Sequence, residues 1–402
     1  MKNINIVNFN VILFTIASFI SIAAGNIFLG ILTFYFFTKC YQKQIKFNTN
    51  FKDYFVVIGI FLISMFISTL FSGDIIYGLK CWADMWIWRF MPFIVVIFLL
   101  KNYDNAKKVL LTAFTGIIIT SMYAVYQGIS GINRANGFYG HPMTLGGWLC
   151  IFMPLLLIEF FERNLLGKYY WLAGLGFCGC SAGLIFNGTR GAWLAVVIVC
   201  VLLLIYYMLK NKRNLTVGIT FIILISTILI NDSKFMQRLY TIDDFNKYQS
   251  NTERILIWQS AWNMFKDHPI LGVGLGQYTE SYQKEYISPQ AKEPNLTHAH
   301  NNFMQMLAEN GIIGFTGFIV MFGYIIFKNL IDWFKTRNTY ALMIVSATIC
   351  LLLQGFTEYN VGNSAVIKMY WCTFGLLVVL ENISIKNDAH YIPEPNHADK
   401  NN

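Results

Sequence analysis

The stretch SAGLIFNGTRGAWLAVVIVC, Ser181 to Cys200, holds a single charge, Arg190, between two apolar runs. Extended in both directions, the runs cover residues 169–187 and 191–209, each near the roughly 20 residues that cross a hydrocarbon core. They read as two membrane helices separated by the polar break Asn187-Gly188-Thr189. The whole chain has the same character. It is 56% hydrophobic and 13% charged, whereas soluble domains carry roughly 45–50% apolar and about 25% charged residues. The expected fold is therefore an all-α polytopic membrane protein.

Further apolar runs at 5–23, 26–39, 54–72, 88–101, 108–128, 144–162, 214–230, 311–331, 340–358 and 365–383 bring the total to about twelve spans. The first lacks a basic leader and a small-residue cleavage site, so it reads as a retained helix. The chain divides into nine N-terminal spans over 1–230, a large loop over 231–310, three C-terminal spans over 311–383 and a polar, proline-containing tail over 384–402, expected to be disordered. Lys39, Lys43, Lys46, Lys52, Lys101, Lys107, Lys108, Arg163, Lys168, Lys210, Lys212, Arg213, Lys328, Lys335 and Arg337 fall on one side, while Lys80, Arg89, Arg134 and Arg190 fall on the other. The positive-inside rule then places both termini in the cytoplasm and the large loop outside. The net charge of +9 is accounted for by these inner loops and calls for no nucleic-acid partner. The cysteines show no paired CxxC spacing and read as packing residues.

The loop carries Trp258, Trp262, Phe265, Tyr278, Tyr282 and Tyr286, too much aromatic surface for a disordered linker. Ser250-Asn251-Thr252-Glu253 has the spacing of a capping box, and Ile255, Trp258, Trp262 and Phe265 then recur at helical spacing until His268-Pro269. That reading puts Arg254 in the first turn of an amphipathic helix. Arg190 likewise opens the helix that begins near Gly191. A cation on the positive end of a helix makes sense where an anion binds, because helix N-termini hold phosphates and guanidinium forks grip their oxygens in pairs. Taken singly, either arginine is equally accounted for by snorkelling or by pairing with lipid phosphate.

In THAHNNFMQMLAENGIIG, Thr297 to Gly314, His298 and His300 precede a short amphipathic helix that ends at Asn310-Gly311. Histidine is the side chain best poised to take a proton near neutrality. His-x-His is also metal-ligand spacing, but a zinc site needs further ligands, and no carboxylate at helical or hairpin spacing supplies one. GVGLGQY, Gly272 to Tyr278, follows no strand and opens no βαβ unit, so it reads as a tight turn rather than a nucleotide loop. Asp243-Asp244 lacks the spacing of a metal-dependent glycosyltransfer motif.

NGTRGAWLAV, TERILIWQSAWNMFKDHPILGVGLGQY and HAHNNFMQMLAENGIIG, in this order around one large loop, resemble the O-antigen ligase and O-antigen polymerase superfamily. The likeness is close over residues 180–320, and GFYGHPMTLGGWL, Gly137 to Leu149, is similar to a glycine-rich external loop of the same family. The resemblance implies a metal-independent, inverting transfer of a glycan from undecaprenyl diphosphate, with no soluble cofactor. The acceptor would be the lipid A core in a ligase, or a carrier-linked repeat in a polymerase. It carries the family's functional arginines to Arg190 and Arg254, and its histidine to His300, with His298 as the alternative. Arg89 and Arg134 lie on the same side, where an anionic donor or acceptor would bind.

A diphosphate leaves as a stable anion, which fits a chain without a paired-carboxylate constellation. The rival class is a small-solute transporter, which a bundle of this size also suits. Lys368, near the end of its span, is the residue closest to an intramembrane ionisable group. Within the enzyme class, the chain length and the single late loop favour the ligase.

Overall fold

The computed structural model describes residues 2–45, 49–211, 214 and 249–389. Among these, all regular structure is helical. The longer helices are α1 (Lys2–Ile20), α2 (Ile22–Tyr41), α3 (Lys52–Leu70), α4 (Ile75–Trp82), α5 (Trp88–Leu99), α6 (Tyr103–Ile129), α7 (Pro142–Glu162), α8 (Trp171–Asn187) and α9 (Arg190–Lys210). Then follow α10 (Gln249–Asp267), the single turn α11 (Tyr278–Ser281), α12 (Asn302–Thr336), α13 (Thr339–Gln354) and α14 (Ser364–Ala389). Nine helical segments among the described residues are long and apolar enough to cross a membrane, joined by two shorter apolar helices at Ile6–Ile20 and Thr339–Gln354. The expected span at 214–230, the loop residues 231–248 and most of the tail lie outside the described residues.

Burial sorts the helices into layers. Along α7 nearly every residue is buried, from Thr144 to Glu159, and α14 is buried to the same degree. Helices apolar all round and buried all round form the centre of a bundle. Contact between the two is close: Trp148 Nε1 donates to the Ala365 carbonyl at 3.2 Å, and a Cβ on Gly147 would press into Val366. α5 packs on α14, α3 on α12, and α6 with α8 against α7. The α1–α2 pair and α9 turn Ile27, Phe34, Leu194 and Leu202 outward, as a lipid-facing surface requires.

Three boundaries differ from the sequence reading, each for a physical reason. The span expected at 88–101 extends back to Ile75, because α4 runs into α5 through a π-helical turn, Ala83–Ile87. The span expected at 340–358 ends at Gln354, so residues 355–363 form a turn rather than helix. The helix expected to open at a Ser250–Glu253 capping box already includes Gln249. Glu253 does not reach back along it; its Oε1 accepts from the Lys292 N–H at 2.9 Å, a tertiary partner, and Oε2 makes no capping bond among the described residues. Arg254 consequently stands beyond the first turn.

The described part of the loop has a core of its own, formed by Ile257, Ala261, Met264, Tyr278, Tyr282, Ala299 and Ala308. A backbone clasp ties it to the bundle. Val273 and Gly274 donate to the carbonyls of Ala308 and Glu309, and Ile312 donates to that of Pro269. Glu309 Oε1 in turn accepts from the N–H groups of Gly276 and Tyr278. Gly311 has φ 56°, ψ −160° and interrupts α12 there, which is the break expected at Asn310-Gly311. Cβ atoms on Gly272 or Gly311 would collide with the facing backbone. The GVGLG stretch is a turn, as its context indicated, and its glycines permit the close approach.

Candidate active site

Several separated segments meet at one end of the bundle. The first surrounds Arg190. Gly188, with φ 65°, closes α8 in the left-handed conformation, Thr189 precedes α9, and Arg190 is the first residue of α9. Asn187 is fully buried, and its Nδ2 donates to the carbonyls of Ala135 and Pro142 at 2.9 and 2.8 Å. The 135–142 loop is thereby pinned beside the start of α9. Gln127 holds the same loop from α6, with Oε1 accepting from the Asn136 and Gly137 N–H groups. Arg134, on this loop, has Nη2 3.5 Å from Thr189 Oγ1, one residue before Arg190.

The second segment is His298 to Asn302. The His300 N–H donates to His298 Nδ1 at 3.2 Å, and the two rings stand 4.2 Å apart, edge to face. A neutral imidazole has one donor and one acceptor nitrogen, so accepting at Nδ1 leaves the proton of His298 on Nε2. Burial, reinforced by the neighbouring His300, pushes the His298 imidazole down to about 4, against an opposing pull from Glu358. It is therefore neutral near pH 7. His300 adopts φ 47°, the left-handed region, unusual for a residue with a Cβ and a form of strain that gathers at functional sites.

The third segment is the turn after α13, whose Glu358 the sequence reading did not select. His300 Nδ1 is 3.4 Å from the Glu358 carboxylate. The Glu358 side chain is 9% exposed and that of His300 27%. Burial alone would raise the Glu358 carboxyl, but the hydrogen bond from His300, followed by the charges of His300, His298 and Arg254, holds it below the usual carboxylate value. An ionised carboxylate only accepts, so His300 carries its proton on Nδ1 and keeps its lone pair on Nε2. Asn301 and Asn302 set the register between the two segments: Asn301 Nδ2 donates to the Phe356 carbonyl, the Asn302 N–H to that of Gly355, and Asn302 Nδ2 to Asn360 Oδ1.

Arg254 comes from α10, half-buried. Its guanidinium is lowered by burial, raised by Glu358 and lowered again by Arg190, so both lie within its electrostatic reach. Of the two arginines singled out in the sequence, Arg254 thus acts directly on Glu358, and Arg190 acts on Arg254. His141 acts on His298 from the 135–142 loop. Arg89 is placed differently, buried against the far end of the Glu358 turn, with Nη1 2.6 Å from the Gly362 carbonyl. Lys368, also buried, donates to Asn26 Oδ1.

The third ligand that a His-x-His metal site was expected to lack is present. His298, His300 and Glu358 offer ligand atoms within 4.8 Å of one another. The bonding nevertheless suits proton transfer better than a cation. Nδ1 of His298 is occupied by a backbone N–H, its Nε2 is protonated, and Nδ1 of His300 is spent on Glu358.

An all-helical bundle with this many apolar spans, which gathers arginines, histidines and a carboxylate against a folded loop, belongs to the class of polytopic membrane proteins. Residues 175–319, from α8 through α9 and the loop to the start of α12, match the O-Antigen ligase family model. That is the segment on which the motifs showed the resemblance. The chain is 21% identical to the O-antigen ligase of Salmonella typhimurium, over 82% of its own length and 83% of that protein's. It is 21% identical to the teichuronic acid biosynthesis protein TuaE of Bacillus subtilis, over 82% and 71%. A putative polysaccharide ligase of Rickettsia conorii is 29% identical over 35% of the chain and 33% of that protein.

Proposed function

We propose that the chain is an O-antigen ligase: a metal-independent, inverting glycosyltransferase that moves a glycan from undecaprenyl diphosphate to a lipid A core hydroxyl in lipopolysaccharide assembly. On this reading it lies in the bacterial inner membrane with both termini cytoplasmic and residues 231–310 in the periplasm. The observation that carries the proposal is the pairing of His300 Nδ1 with Glu358 beside Arg254. It leaves a basic nitrogen, His300 Nε2, next to an anion-binding guanidinium.

In the reaction, His300 Nε2 takes the proton of the acceptor hydroxyl, a contribution of roughly 10²- to 10⁴-fold. The freed oxygen attacks the anomeric carbon from the face opposite the diphosphate, the bond from that carbon to the diphosphate oxygen breaks, and configuration inverts. The electron pair leaves on the diphosphate. Arg190 and Arg254 bind that anion and stabilise its growing charge, with Arg134 in support. Glu358 holds the His300 ring in the required tautomer and stabilises the imidazolium, as a carboxylate does for histidine elsewhere. His298 presents its Nε2–H to a substrate oxygen.

The test is a reconstituted transfer with purified protein, undecaprenyl diphosphate-linked glycan and lipid A core, in the presence of EDTA. Glycan should appear on the core with wild-type protein and be lost with His300→Ala. Inhibition by EDTA that added zinc reverses would replace the mechanism by a metal-dependent one. A second reading is polymerisation, in which the acceptor is another carrier-linked repeat. The similarity to TuaE, whose name belongs to a different polysaccharide and which covers as much of the chain as the Salmonella ligase, supports an acceptor other than the lipid A core. Growth of the carrier-linked glycan with the core untouched would select it. No transfer to either acceptor would favour a transporter.

A further inference from the structure

Arg89 poses a separate problem. Its charge suggested a contact with an anionic substrate, but the residue is only 7% exposed. Nη1 donates to the Gly362 carbonyl at 2.6 Å and approaches that of Val361 at 3.5 Å. Asp84 is 4.0 Å from Nη2 and is itself largely exposed. A buried guanidinium is kept where acceptors meet its donors; here Nη1 meets main-chain carbonyls at the end of a turn, while Nε is buried without a partner among the described residues.

That turn, residues 355–363, carries Glu358. Its first half is tied to the histidine segment through Asn301 and Asn302, and Val361 N–H reaches Asn302 Oδ1 at 3.3 Å. Those bonds join the turn and the histidine segment to each other. Anchorage to the bundle comes from three side chains: Asn360 Nδ2 donates to the Leu351 carbonyl on α13, Asn363 Nδ2 donates to Thr144 Oγ1 on α7, and Arg89 grips Gly362 and Val361 from α5. The π-helical turn at Ala83–Ile87, just before α5, sets the helical phase at which Arg89 projects from α5.

We propose that Arg89 is a positioning residue for glycan transfer: from α5 it clamps the carbonyls of Val361 and Gly362 and so sets Glu358 against His300. The inference rests on the reading of His300 as the base. Arg89 touches neither substrate nor His300 and acts only through the turn.

The experiment uses full-length protein in detergent or nanodiscs, with Arg89→Met, Glu358→Gln and the double variant. Arg89→Met should lower kcat about 10- to 100-fold, the range for losing a group that orients a functional side chain, with KM for the carrier-linked donor within about twofold. In the Glu358→Gln background the same change should cost less than about threefold, because the residue it positions is already disabled. A raised KM with kcat intact would assign Arg89 to donor binding instead, and full additivity with Glu358→Gln would reduce it to packing; either overturns the proposal. Should Arg89→Met fail to accumulate, Arg89→Lys replaces it. A lysine keeps the charge but replaces the planar guanidinium, whose Nη1 alone faces both carbonyls, with a shorter and flexible ammonium, so an intermediate fall in kcat at unchanged KM is expected, and a change in KM alone again overturns the proposal. Histidine NMR supplies a readout independent of turnover. The His300 ring signal, assigned with His300→Gln, should move in the same direction in Arg89→Met as in Glu358→Gln, while that of the exposed His268 stays in place. A stationary His300 signal in Arg89→Met overturns the positioning role whether or not transfer is seen. A moving signal in a protein without transfer activity overturns only the enzymatic reading.

Discussion

His298 and His300 are chemically identical side chains two residues apart, yet their surroundings divide the labour between them. His298 gives its Nδ1 lone pair to a backbone N–H and is held neutral by burial, whereas His300 turns Nδ1 to Glu358 and keeps Nε2 basic. Substitution should expose the difference. His300→Ala is expected to lower kcat by roughly 10²- to 10⁴-fold, and Glu358→Gln by about 10- to 100-fold. His298→Gln, which preserves a donor, should cost less than about tenfold, so steady-state rates of the three variants order the roles. Equal losses for His298→Gln and His300→Ala would sink the assignment. The sequence made the two histidines visible because a polar pair preceding an amphipathic helix stands out against apolar spans. Glu358 was hidden for the opposite reason: it sits at the end of the apolar run 340–358, where hydropathy alone continues the helix. The turn that frees it depends on Asn302, Asn360 and Arg89, and these are tertiary contacts.

At the scale of an element, the start of α9 shows how a small residue places a large one. Gly191 follows Arg190, and a Cβ there would overlap Thr357 Oγ1, one residue before Glu358. The missing side chain is what lets α9 approach the turn closely enough for Arg190 to join the cluster. Gly191→Ala should therefore destabilise the protein by about 1–3 kcal/mol, the usual range for overpacking, and reduce transfer at least tenfold. Adding Thr357→Ala, which removes the offending hydroxyl, should restore much of both. Thermal unfolding and transfer rates of the single and double variants check this, and a double variant no better than Gly191→Ala would refute it. Helix phase and the opening of α9 at Arg190 were legible, because hydrophobic periodicity and a polar break are local signals. The capping box at Ser250–Glu253 was legible too and misled. The Lys292 N–H, distant in sequence, offered Glu253 a partner, and local pattern cannot weigh such competition.

Across the whole molecule, the site is a low-dielectric gathering of charge drawn from the 134–141 loop, α9, α10, the histidine segment and the turn after α13. Arg134, Arg190 and Arg254 bring positive charge to it and Glu358 negative charge, an excess that suits a diphosphate. The same burial makes stability depend on pH. The folded state holds His298 at about 4 against an ordinary value of 6.5, so between those values the unfolded chain binds more protons than the native one. Stability then rises with pH across that window and falls as pH drops from about 6.5 towards 4. At about 1.4 kcal/mol per unit, His298 contributes at most about 3 kcal/mol, less where water reaches the ring. Glu358 is held below its ordinary value, so its contribution is present at neutral pH and is lost only as pH falls below about 4.5, through the folded value. Thermal unfolding of the detergent-solubilised protein should accordingly show Tm falling in two stages on acidification from pH 7. His298→Gln should flatten the stage between about 6.5 and 4, and Glu358→Gln the one below it. A Tm curve for His298→Gln parallel to wild type across the upper window would mean that His298 titrates alike in the folded and unfolded states. Its ring would then be free to share the proton, and the division of roles between the two histidines would lose its electrostatic basis.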